Sequence, residues 1–216
     1  MLTPEQYLGA MAERIQRAGG RLHTVPMGPA TAVAGLFTES VLLTTMNYCV
    51  IAAACPEVSA AALYDFTGRA TQHARANLVG TMGWTAASVV IAGLVGQRVY
   101  PDAAQAASAK SGNQFGGETR MVAVDLSAGQ LYAFVGGKFW GAAIQGSVNA
   151  KLTYCFPQPA EVYQQVQWQQ AQQQPQLPMP APAPQVPPPP VVGPGGPQPP
   201  VYPPPGHQPQ QGPYGY

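Results

Sequence analysis

Two cysteines and one histidine are the residues of this sequence whose types and spacing come nearest to a catalytic pair. Cys49 and Cys55 lie six positions apart in an uncharged run that is predicted to be a strand, so both side chains point to the same face. His73 lies on the helix predicted to follow. A thiol beside a general base is the arrangement of a cysteine nucleophile, which makes these three residues the candidates for catalysis.

A structural explanation of the same cysteines competes with the catalytic one. Free cysteine is among the most buried residue types and packs as a small apolar side chain. A thiol buried in such surroundings has a raised pKa and is inert. We therefore expect unreactive thiols, and an enzyme with a cysteine nucleophile stands as an alternative hypothesis.

The sequence contains no recognisable metal or cofactor motif. It has no CxxC and no HxxxH pair, and its histidines are scattered at His23, His73 and His207. The glycine-rich stretches GNQFGGE and VGGKFWG match neither phosphate-binding motif and are typical of turns. The acids of the predicted domain show no spacing diagnostic of acid–base catalysis. We predict no cofactor and no metal site, and enzymatic activity is not favoured.

Composition divides the chain at about residue 156. The last 60 residues, 157–216, hold 20 of the 25 prolines, 15 glutamines and one charged residue, Glu161. Such a segment cannot bury enough apolar surface to offset its ordering entropy, so a disordered Pro/Gln-rich tail is predicted. Residues 1–156 are the size of one compact domain, and removing 157–216 is expected to change its thermal midpoint by only a few degrees.

The predicted domain is poor in charge. It holds all 10 Lys and Arg and eight of the nine acids, a net charge of +2. No basic stripe is present, so nucleic-acid binding is not expected. A surface built from Ala, Gly, Ser, Thr and Gln favours self-association or burial against a protein partner, and a homo-oligomer is expected. Biased residue usage in the genome explains the same composition without any interface.

The tail carries the candidate binding residues. A proline-free stretch, 160–174, is expected to form a short helix in which Tyr163, Val166 and Trp168 could dock on the domain or on a partner. Farther on, Pro199, Pro200 and Tyr202 form a PPxY match in a segment that favours polyproline II. The competing interpretations are a partly helical glutamine linker and a chance match in a proline-rich spacer.

Periodicity predicts the elements of the domain. A helix is expected over 4–18 after the N-cap Thr3, and Gly35 indicates a bulge or a close approach in a strand. Together they predict an α+β fold, a mostly antiparallel sheet covered by helices on one face. The other expected elements, in chain order, are an extended segment at 21–26, strands at 30–38 and 41–54, a helix at 57–75, a strand at 87–96, a short helix capped by Asp102, a hairpin of 118–126 and 130–136, and a helix from Lys138 with Trp140, Ile144, Val148 and Leu152 on one side.

Two uncharged runs, 40–56 and 76–97, also suggest a membrane-associated protein. Polar residues in the first run and four glycines in the second favour buried strands instead. The N-terminus lacks the pattern of a signal peptide, and three cysteines without framework spacing favour reduced thiols, so a cytoplasmic location is expected.

The Ala-rich body and the Pro/Gln/Gly/Tyr tail resemble, in composition, actinobacterial proteins that end in such tails. That resemblance implies no activity. The expected function is therefore binding, in which the domain self-associates or holds a protein partner and the tail extends its reach.

Overall fold

The computed structural model describes residues 1–41, 44–77, 86–110, 113–114, 117–136 and 142–173. The elements in this part of the chain are, in order, α1 (Pro4–Arg17), β1 (Arg21–Met27), β2 (Ala30–Val41), β3 (Thr44–Ala54), β4 (Glu57–Val58), α2 (Ala60–Asn77), β5 (Ala86–Gly96), β6 (Arg98–Val99), α3 (Pro101–Ser108), β7 (Asn113–Gln114), β8 (Gly117–Asp125), β9 (Gln130–Ala133), α4 (Ala142–Cys155) and α5 (Pro159–Gln173).

Seven of these strands form one mixed sheet in the order β1, β2, β3, β5, β8, with β7 and β9 both paired to β8. The neighbours β3, β5 and β8 run parallel, and the other pairings in the sheet are antiparallel. β4 and β6 form a separate parallel pair. The predicted α+β class and its mostly antiparallel sheet are confirmed.

Helices cover both faces of the sheet, so the expectation of a single covered face is wrong. Parallel strands need crossover connections, and the crossovers α2 and α3 lie on one face. The other face is covered by α1, α4 and α5. The apolar cluster under α2 and α3 includes Leu63, Phe66, Ala103 and Ala107. The apolar cluster under α1, α4 and α5 includes Tyr7, Met11, Val148, Leu152 and Val162.

The central strands β3 and β5 lie within the two uncharged runs of the sequence. Along β3, Tyr48 and Val50 face the α1 side while Cys49 and Ile51 face the α2 side, and all four are fully buried. A strand with helices on both faces of its sheet has no solvent side, which is why the run carries no formal charge. Buried strands here are confirmed. Among the described residues, no helix is long and apolar enough to cross a membrane.

Helix α1 begins as the sequence predicts. Thr3 is the N-cap, its hydroxyl accepts a hydrogen bond from the Gln6 backbone, and Pro4 occupies the first turn. The helix lies close against β2 at Gly35, where an added Cβ would come within 2.5 Å of the Ile15 side chain. The close approach expected at this glycine is confirmed.

Two local expectations need correction. The helix expected from 57 begins at Ala60, because Glu57 and Val58 pair with β6 as strand β4. Asp102 does not cap α3: the N-cap position is Tyr100, and Asp102 lies in the first turn, where its carboxylate accepts hydrogen bonds from the backbone of Ala103 and Ala60. That second bond ties α3 to the start of α2.

The closing hairpin and helix agree with the sequence pattern. β8 and β9 pair antiparallel, with Val122 and Val124 on one face and Ala123 on the other. Val148 and Leu152 of α4 are buried, whereas Trp140 lies outside the described residues.

Helix α5 belongs to the same compact unit as the sheet, and that unit ends at Pro175. Val162 is fully buried in the cluster under α1. The Arg14 guanidinium donates to the Glu161 carboxylate at 2.8 Å. The boundary expected at 156 therefore falls before an element that packs on the domain, while the predicted tail from 174 onward lies outside the described residues.

Candidate functional site

The two cysteines proposed as nucleophiles lie in or beside the apolar cluster under α2. Cys49 is fully buried, and burial raises the pKa of its thiol to about 12. Cys55 follows the end of β3, half-buried, and its thiol donates to the Glu57 carbonyl oxygen at 3.1 Å. Burial also raises the pKa of Cys55. Neither thiol has the lowered pKa that a nucleophile needs.

The histidine proposed as their partner lies on α2, where the Asn77 side chain is 3.2 Å from its Nδ1. Among the described residues no hydrogen bond joins His73 to a thiol. On the same helix, Asp65 and Arg69 form an ion pair. The third cysteine, Cys155, is buried, and burial raises the pKa of its thiol to about 12 against the opposing charges of Lys151 and Arg14.

A buried ionic network lies where β8 meets α4. The side chain of Arg120 is 1 % exposed, and its Nε lies 2.6 Å from the Glu118 carboxylate. The same guanidinium donates to the Gln145 side-chain oxygen at 2.5 Å and to the Phe134 carbonyl at 2.7 Å. Every charged group of this network has a partner, so the network positions α4 on the sheet rather than offering a charge to a ligand.

A second cluster of polar side chains lies between β2, β3 and α4. The Tyr48 and Ser147 hydroxyl oxygens are 2.6 Å apart, and Lys151 forms an ion pair with Glu39. The Lys151 ammonium also lies 4.2 Å from the centre of the Phe37 ring. Burial is the main reason why the pKa of Tyr48 is raised, so its phenol stays protonated and cannot serve as a base at neutral pH.

Helix α5 exposes two aromatic side chains. Trp168 is 71 % exposed and Tyr163 is 45 % exposed. At 100° per residue their positions differ by about 140° around the helix axis, so they flank the solvent side of α5. Gln164 and Gln167 lie between them, also exposed. Val166, the third binding residue expected here, is half-buried and packs inward.

A groove of about 280 Å³ runs between α1 and α5. Gly9, Ala10 and Val166 form its apolar part, and nothing lies within 4 Å of the position that a Cβ on Gly9 would take. The polar lining consists of Gln6, Glu13, Gln165, Gln169 and Gln170.

Known proteins supply no further guide. No family model, no curated protein and no solved structure matches this chain. In the part of the chain that the structure describes, no group of three or more His, Cys, Asp or Glu side chains could hold a metal ion.

Sequence reasoning found part of this arrangement. It singled out Tyr163, Val166 and Trp168, of which the structure exposes the two aromatics and turns the valine inward. Pro199, Pro200 and Tyr202 lie outside the described residues. The groove at Gly9 was missed, because it exists only where α5 packs beside α1.

Proposed function

We propose that this protein acts by binding a second copy of itself through the solvent side of α5. The observation that carries the proposal is the exposure of Trp168 and Tyr163 on a helix whose one charged residue, Glu161, pairs with Arg14. Tryptophan and tyrosine are enriched among the residues that dominate the energy of protein interfaces. Of the three residues considered for catalysis, Cys49 is buried, the Cys55 thiol donates to a backbone carbonyl and the His73 ring lies against Asn77.

The chemistry of this surface favours a copy of itself as the partner. Glu161, the only charged residue of α5, already pairs with Arg14, so two copies of the helix meet without repulsion of like charges. The exposed glutamines carry an amide that donates and accepts hydrogen bonds at once. A two-fold contact places identical surfaces together. The glutamines of one copy can then exchange hydrogen bonds with those of the other, and the aromatic side chains can pack together.

The tail has a subordinate role in this proposal. Residues 174–216, rich in proline and nearly without charge, would extend the reach of each protomer as a spacer. The exposed side of α5 supplies the contact.

Sedimentation velocity over a dilution series of the full chain tests the proposal. We expect a reversible dimer, and the double substitution Tyr163→Ala/Trp168→Ala should raise its dissociation constant by at least about tenfold. The matched control is Tyr64→Ala, which removes an aromatic side chain that is 57 % exposed on α2.

A wild-type chain that stays monomeric up to high micromolar concentration would overturn the proposal. A dimer that is weakened equally by Tyr64→Ala and by the α5 double variant would also overturn it, because the contact would then not depend on α5.

A further inference from the structure

The solvent side of α5 has the same order of side-chain types in both directions along the chain. Two alanines, two glutamines and two aromatic residues form this order, and all are exposed: Ala160, Tyr163, Gln164, Gln167, Trp168 and Ala171. Each residue has a counterpart of its own type at the same distance from one midpoint, which lies between Gln165 and Val166. The solvent side of α5 is therefore a palindrome of side-chain types.

Helical geometry places the members of this palindrome on one stripe. At 100° per residue, the two alanines and the two glutamines all lie within about 30° of the direction midway between Tyr163 and Trp168. The aromatic residues flank that direction at about 70° on either side. Val162, which is fully buried, lies about 170° from it. The stripe therefore faces directly away from the domain on which α5 packs.

A palindrome of this kind suits an antiparallel contact between two copies of the helix. In such a contact, a residue before the midpoint lies level with the residue at the same distance after the midpoint in the other copy. Ala160 then faces Ala171 of the other copy, so small side chains allow the helices to approach at both ends. Gln164 lies level with Gln167 of the other copy, and the two amides can exchange hydrogen bonds.

We propose that two copies of α5 pack antiparallel along this stripe, with the two-fold axis level with the midpoint between Gln165 and Val166. This inference rests on the proposed function and names the orientation and the residue pairs of its contact. The antiparallel orientation also places the positive N-terminal end of each helix beside the negative C-terminal end of the other.

The aromatic residues enclose the centre of this contact. The symmetry places both Trp168 rings on one flank and both Tyr163 rings on the other, each pair about 7.5 Å apart along the helix axis. Gln164 of the other copy lies on the Trp168 flank, about 1.5 Å from the same level. The rings therefore exclude water from the glutamine pairs, whose hydrogen bonds are stronger in a drier surrounding.

Disulfide cross-linking between two single-cysteine positions tests the orientation. Ala160→Cys and Ala171→Cys are each made in a Cys55→Ser chain, because the other two native cysteines are buried. Facing residues of helices packed about 8–10 Å apart lie within reach of a disulfide. The matched control is Gln172→Cys, which is also exposed but lies about 100° around the helix from Ala171.

We expect the mixture of Ala160→Cys and Ala171→Cys chains to form a covalent dimer under mild oxidation. The rate should be at least about tenfold higher than for either variant alone, because identical positions lie about 16.5 Å apart along the axis of an antiparallel pair. The mixture of Ala160→Cys and Gln172→Cys should be equally slow. Non-reducing electrophoresis measures the rates, and sedimentation velocity with reductant establishes that each variant still dimerises.

The outcomes separate this inference from the function on which it rests. A wild-type chain that stays monomeric overturns both. If Ala160→Cys and Ala171→Cys each cross-link rapidly to themselves, the helices are parallel, which overturns the inference and leaves self-association through α5 standing. A dimer in which none of these samples cross-links also overturns the inference, because the two alanines would then lie outside the contact.

Discussion

At the scale of single residues, the thiols show how position determines reactivity. Cys49 and Cys155 are buried, and burial raises their pKa values to about 12, so both thiols stay protonated at pH 8. Cys55 is half-buried at the end of β3. We predict that iodoacetamide at pH 8 modifies Cys55 first and reaches the other two thiols only after unfolding.

Mass spectrometry of the intact protein and of its peptides measures this order. Cys55→Ser should leave a native protein without a rapidly alkylated site, whereas the same variant in denaturant should take two labels. Rapid alkylation of Cys49 in the folded protein below pH 7 would contradict the prediction and would favour the cysteine-nucleophile hypothesis.

At the scale of elements, the contact between α1 and β2 depends on the missing side chain of Gly35. An alanine Cβ at this position would come within 2.5 Å of Ile15, which is fully buried and has little room to move. We predict that Gly35→Ala lowers the free energy of unfolding by about 1–3 kcal/mol, the usual cost of an overpacked core.

A helical glycine with free space provides the matched control for that substitution. Gly68 on α2 is exposed and has nothing within 4 Å of an added Cβ, so Gly68→Ala should raise the free energy of unfolding by about 0.5–1 kcal/mol. Urea unfolding measures both values. Equal effects of the two substitutions would show that backbone entropy, and not the α1–β2 contact, dominates at Gly35.

At the scale of the whole molecule, α5 decides where the folded unit ends. The Tyr7 hydroxyl is buried and donates to the Pro157 carbonyl at 2.6 Å, and Val162 fills part of the cluster below α1. We predict that a chain ending at residue 175 keeps the thermal midpoint of the full protein. A chain ending at residue 156 should lose about 3 kcal/mol of stability and melt about 10 °C lower.

Differential scanning calorimetry of the two shortened chains makes this measurement. Composition alone places the boundary at 156 and predicts a change of only a few degrees for the shorter chain, whereas the packing of α5 predicts the larger fall. Equal thermal midpoints for the chains ending at 156 and 175 would show that α5 contributes nothing to the folded unit.

Much of the local structure could be predicted because it depends on near neighbours. Thr3 and Pro4 predict the start of α1, since capping requires only the first turn. The alternation from residue 118 to 126 predicts β8 and also places Glu118 and Arg120 on the same face as Val122, which is the face on which Arg120 is found buried. Its partner Gln145 is 25 residues away along the chain, and local pattern does not identify it.

The sequence by itself determined most of the elements, the burial of the uncharged strands and the scarcity of charge. The tertiary structure alone decided which strands are neighbours, that both faces of the sheet are covered, and that α5 packs on α1. The physical reason is the range of the interactions: periodicity and capping act within a few residues, whereas exposure is set by contacts between distant segments. The groove beside Gly9 exists only because α1 and α5 meet.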